Sequence, residues 1–262
     1  MPENSIILTL GGLVSGTLAG LLGIGGGVLL VPLLVSLGHV PVQAAATSSL
    51  AILITSTVGS LQNWRMGYLS LKRVAYLGIP AALTAQLGTY LASRIVAYAL
   101  LITFGISLLF NIYLMDLRKR LGGKQGFRSL KLNPVASRIG TGGAAGFMAG
   151  LFGVGGGVIM VPLQILLLGE TLKVAVRTSL GVIAITAISA CIGHATKGNV
   201  LFIDGLLVGF GGLLGVQFST RYLPRLPDKI INFTFRGMLV LLSVYVFWQA
   251  WDSFYNQFST NP

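Results

Sequence analysis

The chain has 262 residues, 54% apolar and 9% charged, with 18 Lys and Arg against 6 Asp and Glu. A soluble domain carries roughly a quarter charged residues. The composition therefore excludes a water-soluble enzyme, a disordered tail protein and, with Cys191 the only cysteine, a disulfide-built scaffold. The net charge of +12 does not point to nucleic acid, because its bases fall between long apolar runs with no basic stripe interleaved with stacking aromatics. Bases in connecting loops orient a polytopic membrane protein.

A helical span needs about 20 mostly apolar residues. The opening Met1-Pro2-Glu3-Asn4 has no basic stretch, so no cleaved signal peptide is expected. The first apolar stretch, Ser5 to Leu37, is too long for one helix and is interrupted by Gly23-Ile24-Gly25-Gly26-Gly27. Spans are expected at Val42–Gln62, Val74–Ala92 and Val96–Met115, followed by a polar, basic connector over 116–138. A second long stretch, Ile139 to Leu168, is broken at Gly153-Val154-Gly155-Gly156-Gly157, and spans follow at Val174–Gly193, Leu201–Thr220 and Ile230–Trp251. This predicts an all-α integral membrane protein of two repeats, 1–115 and 139–262, each a glycine-broken helical hairpin plus three transmembrane helices.

The halves are copies. Gly20 through Leu33 aligns with Gly150 through Leu163 without a gap at an offset of 130, and at that offset Thr47-Ser48-Ser49-Leu50 faces Arg177-Thr178-Ser179-Leu180. After a slip of one residue Asn63 meets His194 and Gly67 meets Gly198; Gly88 through Arg94 is matched to Gly215 through Arg221. Duplication of this kind is a common plan among secondary transporters, whose substrate lies between the halves.

Loop charges choose between parallel and inverted copies. If each broken stretch crosses straight through, the bases divide only about two to one between the faces. If each break turns the chain back, all bases share one face except Arg94, Lys197 and Arg236, the last within a span. The second arrangement makes the halves inverted copies. It puts the 116–138 connector in the cytoplasm and both termini on the non-cytoplasmic side of a cytoplasmic (inner) membrane.

Three adjacent glycines cost about 1 kcal/mol each in helix propensity. They also free backbone groups that lipid cannot satisfy, so they belong inside protein or against a watery cavity. Each run precedes a short apolar helix, Val28–Leu37 or Val158–Leu168, whose first N–H groups and dipole suit an anion. Pro32 and Pro162 each remove a hydrogen bond from these helices. Close helix packing is the competing explanation; it accounts for Gly11, Gly12, Gly16, Gly20 and Gly23 but not for a bare triple run. No Walker lysine follows either run, and neither opens a strand-to-helix dinucleotide loop.

The two copies of Gly-Leu-(Leu/Phe)-Gly-(Ile/Val)-Gly-Gly-Gly-Val-x-x-Val-Pro-Leu, in a chain of this length, resemble the sulfite exporter TauE/SafE family, also called the 4-toluene sulfonate uptake permease (TSUP) family. The resemblance covers essentially the whole chain. It implies transport of sulfite, sulfonate, sulfoacetate or a related carboxylate anion across the cytoplasmic membrane. An anion at the glycine breaks follows from the residues themselves; the sulfur follows only from the resemblance.

The substrate-binding set expected on these grounds is Gly23, Gly25, Gly26 and Gly27 with Gly153, Gly155, Gly156 and Gly157, joined by polar residues of the next spans. Thr47, Ser48, Ser49, Thr178 and Ser179 offer hydroxyls, or else satisfy their own helix carbonyls. Arg177 offers a guanidinium fork, or else reaches to the interface. Asn63 and His194 end equivalent spans; the histidine suits proton coupling or a carbonyl bond. Gln62, Gln86, Gln164 and Gln217 are cavity donors or ties between helices. Asp204 has no evident partner, and Cys191 reads as packing. His39, His194 and Cys191 lack metal-ligand spacing, no catalytic set is readable, and no cofactor is implied. Trp64, Tyr68, Trp248, Trp251 and Tyr255 end spans as an interfacial belt. The reading is a secondary transporter working by alternating access; its cytoplasmic basic loops raise the local anion concentration, which fits export without establishing the direction. An anion channel is the alternative. Its partners are the anion, the lipid bilayer and a coupling ion, H⁺ or Na⁺, without nucleic acid; a homo-oligomer is compatible with it.

Overall fold

The computed structural model describes residues 4–122 and 133–259, and these are helical almost throughout. The first half contains α1 (Ser5–Leu22), α2 (Gly27–Ser36), α3 (Pro41–Arg65), α4 (Leu71–Ala92) and α5 (Ala97–Gly122). The second contains α6 (Pro134–Phe152), α7 (Gly157–Leu168), α8 (Leu172–Ala195), α9 (Phe202–Tyr222), a 3-10 turn (Leu223–Arg225) and α10 (Asp228–Ser259). The expected elements are therefore present, with both long stretches broken at the glycines. Helix occupies both flanks of the expected 116–138 connector, since α5 runs on to Gly122 and α6 starts at Pro134; residues 123–132 lie outside the described residues.

Local chemistry sets these boundaries. Gly23 and Gly153 adopt left-handed backbone, φ 68° and 64°, and their N–H groups close α1 and α6 onto the carbonyls of Ala19 and Ala149. Pro41 and Pro134 open α3 and α6, where a missing N–H costs nothing, and the Asn133 side chain accepts from Val135 N at 3.1 Å. By contrast, α2 and α7 continue through Pro32 and Pro162.

Among the described residues, six helices, α1, α3, α5, α8, α9 and α10, contain stretches long and apolar enough to cross a membrane. The remaining long helices, α4 and α6, pack on one another. Tyr76, Ile79, Leu83 and Leu87 form an exposed stripe at helical spacing on α4, matched on α9 by Ile203, Leu206, Phe210 and Phe218. An apolar outer surface over an interior that buries Ser, Thr, Asn and His suits lipid as the surrounding solvent.

The halves interleave. α1 lies along α9, and α6 lies along α4, while α3 meets α8 and α5 meets α10. Small residues permit the close pairs: a Cβ at Gly12 would strike the backbone of Val208, one at Gly16 that of Gly212, and one at Gly146 or Gly150 that of Ala81 or Ala85. The Gly-xxx-Gly positions of α1 are thus packing surfaces.

The structure corrects the register of the repeat. The offset of 130 holds through the glycine breaks, but the left-handed glycines after α2 and α7 are Gly38 and Gly169, so the slip to 131 precedes α3 and α8. Thr47 therefore corresponds to Thr178 and Ser48 to Ser179, and Arg177 falls opposite Ala46. The offset persists into α4 and α9: Gly78 packs on Ile185 while Gly209 packs on Ile54. Gly88 through Arg94 consequently corresponds to Ser219 through Arg225, one helical turn beyond the match read from the glycines.

Candidate functional site

The two glycine breaks meet at the centre of the molecule. All residues of 23–27 and 153–157 are buried, and the loops touch: a Cβ on Gly27 would strike the Gly153 carbonyl, and one on Gly157 the Gly23 carbonyl. Gly25, Gly26, Gly155 and Gly156 have φ of 78°, 83°, 80° and 74°, a region that disfavours side chains. Both N-caps, Gly26 and Gly156, lack a side-chain cap.

The consequence is a set of unpaired donors. Among the described residues, no acceptor is present for the N–H groups of Gly25, Gly26, Gly27 and Val28, or of Gly155, Gly156, Gly157 and Val158. Buried backbone donors are nearly always paired, and each one left bare costs about 1–3 kcal/mol. Two opposed helix N-termini with bare amides make an electropositive centre without a charged side chain.

The hydroxyl residues hold the carbonyl side of the loops. Ser48 Oγ donates to Gly153 O at 2.7 Å, and Ser179 Oγ donates to Gly23 O at 2.5 Å, so each half clasps the other's break. Ser15 Oγ donates to Gly26 O at 2.8 Å. Ser49 donates to Ala45 O within its own helix, Thr47 accepts from Leu201 N at the start of α9, and Thr178 is buried alongside. Ile52 and Ile183, one from each half, lie against both Gly25 and Gly155 and fill the space between the breaks. A void of about 10 Å³ beside Val154 and Gly156, no larger than one water, is lined also by Phe104 and Phe152.

Other candidates stand further out. Val176 and Ser179 face Gly23, whereas Arg177 stacks on the Tyr68 ring at 3.9 Å and buries an Nε that has no partner among the described residues. The Nε2 of buried His194 lies 3.1 Å from Gly150 O; a carbonyl only accepts, so the proton sits on Nε2 and Nδ1 is left bare. Asn63, at the matching position of α3, is buried with both amide atoms bare. The glutamines tie helices together: Gln62 donates to Gln217 O, Gln86 to Ser189 O and Gln164 to Ala175 O. Asp204, which has no partner legible in the sequence, pairs with His39 at 3.4 Å, and at the matching positions Arg73 pairs with Glu170 at 3.3 Å. No group of three or more His, Cys, Asp or Glu that could hold a metal occurs among the described residues.

Sequence reading missed Ile52, Ile183 and Ser15. The isoleucines are apolar residues in apolar helices, and only the repeat offset singles them out, since both follow a matched serine by four positions.

Comparison with known proteins places this geometry. The family model described as Sulfite exporter TauE/SafE matches residues 8–246. The chain is 29% identical to the "Probable membrane transporter protein YunE" of Bacillus subtilis, covering 94% of this chain and 98% of that one. It is 28% identical to a "Probable membrane transporter protein" of Xylella fastidiosa, over 97% of this chain and 99% of that protein. A shorter match, 30% identical over 36% of this chain and 21% of the relative, is to "Sulfite exporter TauE/SafE family protein 1" of Arabidopsis thaliana. No solved structure matches.

Proposed function

Because this chain belongs to the sulfite exporter TauE/SafE family and is a multi-pass membrane transporter, we propose that it exports a small sulfur-containing or organic anion, such as sulfite, a sulfonate or sulfoacetate, bound between the paired glycine breaks. The observation that carries this reading is the set of bare, buried amides on the two opposed half-helices. A small oxyanion satisfies such donors, and glycine lets it approach the backbone closely.

The described conformation is closed, with the breaks in contact and Ile52 and Ile183 between them. Binding requires the loops to part, and rocking of one set of helices on the other admits the anion from alternate faces. Ser48 and Ser179 move with the loops they clasp, which keeps the amides aimed while the isoleucines withdraw.

The inverted arrangement is part of the proposal, with both termini outside the cytoplasm, the 116–138 segment inside, and the protein in the cytoplasmic membrane. Two ion pairs support it. If the breaks crossed straight through, Arg73 and Glu170 would lie on opposite faces, as would His39 and Asp204. If each break turns back, each pair shares a face, which suits their separations of 3.3 and 3.4 Å.

The test is uptake of labelled sulfite, sulfate, thiosulfate, sulfoacetate and lactate into proteoliposomes, with and without Na⁺ or proton gradients, paired with hydrogen exchange. The transported anion is expected to slow exchange at residues 23–28 and 153–158. Flux without protection there overturns the site, and absence of flux for every anion overturns the substrate class. Reporter fusions after residue 125 and at the C-terminus are expected on opposite faces.

A further inference from the structure

A groove between α3 and α9, apart from the glycine breaks, encloses about 270 Å³. Its lining includes Arg65 and Arg221, each in the last turn of its helix, with Gln62 and Gln217, and an apolar wall of Val58 and Leu61. Neither guanidinium has an acidic partner among the described residues.

The repeat supplies an internal control. The matching niche between α8 and α4 replaces Arg65 with Thr196, Gln62 with Gly193 and Arg221 with Tyr90. There the polar groups are satisfied within the protein. Gln86 donates to Ser189 O and Oγ at 2.6 and 2.9 Å, Thr196 donates to Gly193 O, and Lys197 Nζ donates to Thr89 O and Ser93 Oγ at 3.0 and 2.7 Å. One niche is self-satisfied; the other gathers two unneutralised forks around an open space.

We propose that the α3–α9 groove binds the phosphate oxyanion of an anionic phospholipid headgroup, with Arg65 and Arg221 as paired donors. A guanidinium fork matches phosphate oxygens bidentately, and basic pockets between transmembrane helices select anionic lipids. The apolar wall decides for lipid over a free ion: Leu61 is 41% exposed beside the arginines and offers contact to acyl chains. The site stands whichever anion the transporter carries.

The experiment is native mass spectrometry of the full chain in detergent with phosphatidylglycerol or phosphatidylcholine, and with inorganic phosphate as competitor. The wild type is expected to retain phosphatidylglycerol about tenfold better than phosphatidylcholine, and the Arg65→Ala/Arg221→Ala variant to lose that preference. Lys197→Ala, in the matching niche, is expected to keep it. If the double variant does not stay monodisperse, Arg65→Gln and Arg221→Gln are read singly by the same ratio. Equal retention of the two lipids, or an unchanged preference in the arginine variants, overturns the site. Displacement of phosphatidylglycerol by millimolar phosphate overturns the lipid assignment and makes the groove a site for a free ion.

Discussion

In one half His39, between α2 and α3, pairs with Asp204 of α9; at the matching positions of the other, Glu170 pairs with Arg73 of α4. The contact is kept and its polarity is reversed, so the duplication preserves a place where the halves are latched rather than the residues that latch it. The pairs also differ in kind. One joins a guanidinium to a carboxylate and the other an imidazole to a carboxylate. The glycine breaks behave oppositely: Ser48 and Ser179 are the same residue type making the same bond. The clasp that each half places on the other's break has stayed symmetric, and what fastens the ends has diverged.

The symmetric part is tested most severely at Gly27 and Gly157. Gly27→Val and Gly157→Val each drive a side chain into the opposite loop's backbone. Each is expected to cost more than about 3 kcal/mol, read as loss of the monodisperse species in fluorescence size-exclusion. A folded, active protein from one change and not the other would break the equivalence. Next come Ser48→Ala and Ser179→Ala, each of which removes a donor from a buried carbonyl. Equal losses of about 1–3 kcal/mol are expected in thermal unfolding.

Asn63 and His194 sharpen the comparison. His194→Ala removes the bond to Gly150 and should lower stability by about 1 kcal/mol. Asn63→Ala removes an amide with no partner among the described residues, so stability should hold or rise. A fall in transport with unchanged stability would mark Asn63 as a binding residue. The smallest effects belong to the latches, which are partly exposed. Arg73→Ala and His39→Ala are each expected to cost at most about 1 kcal/mol, read in thermal unfolding. A loss above about 2 kcal/mol from either change would refute their standing as weak, partly exposed latches.

Much of this was legible in the sequence because glycine is conspicuous in an apolar chain. Gly23–Gly27 and Gly153–Gly157 announced the broken helices, and the repeat announced that they would be paired. The register of α3 against α8 was not legible. The slip falls in the linkers at Gly38 and Gly169, and a serine-rich stretch such as Thr47-Ser48-Ser49 aligns about as well one residue either way. That ambiguity paired Arg177 with Thr47, when Arg177 instead stacks on Tyr68. The partner of Asp204 was hidden for another reason: nothing local to either residue announces a contact with distant His39. Ile52 and Ile183 were hidden by composition, since no pattern distinguishes an isoleucine that fills a gap between loops from one that faces lipid.

The interleaving of α1 with α9 and of α4 with α6 bears on how the molecule is made. A ribosome delivers α1 some two hundred residues before α9, so α1 enters the bilayer with its row of glycines uncovered and must dwell there, held by lipid or an insertion chaperone, until its mate is synthesised. The close packing of α1 therefore waits for α9, and a chain cut between the halves leaves the glycine faces of α1 and α6 without their mates.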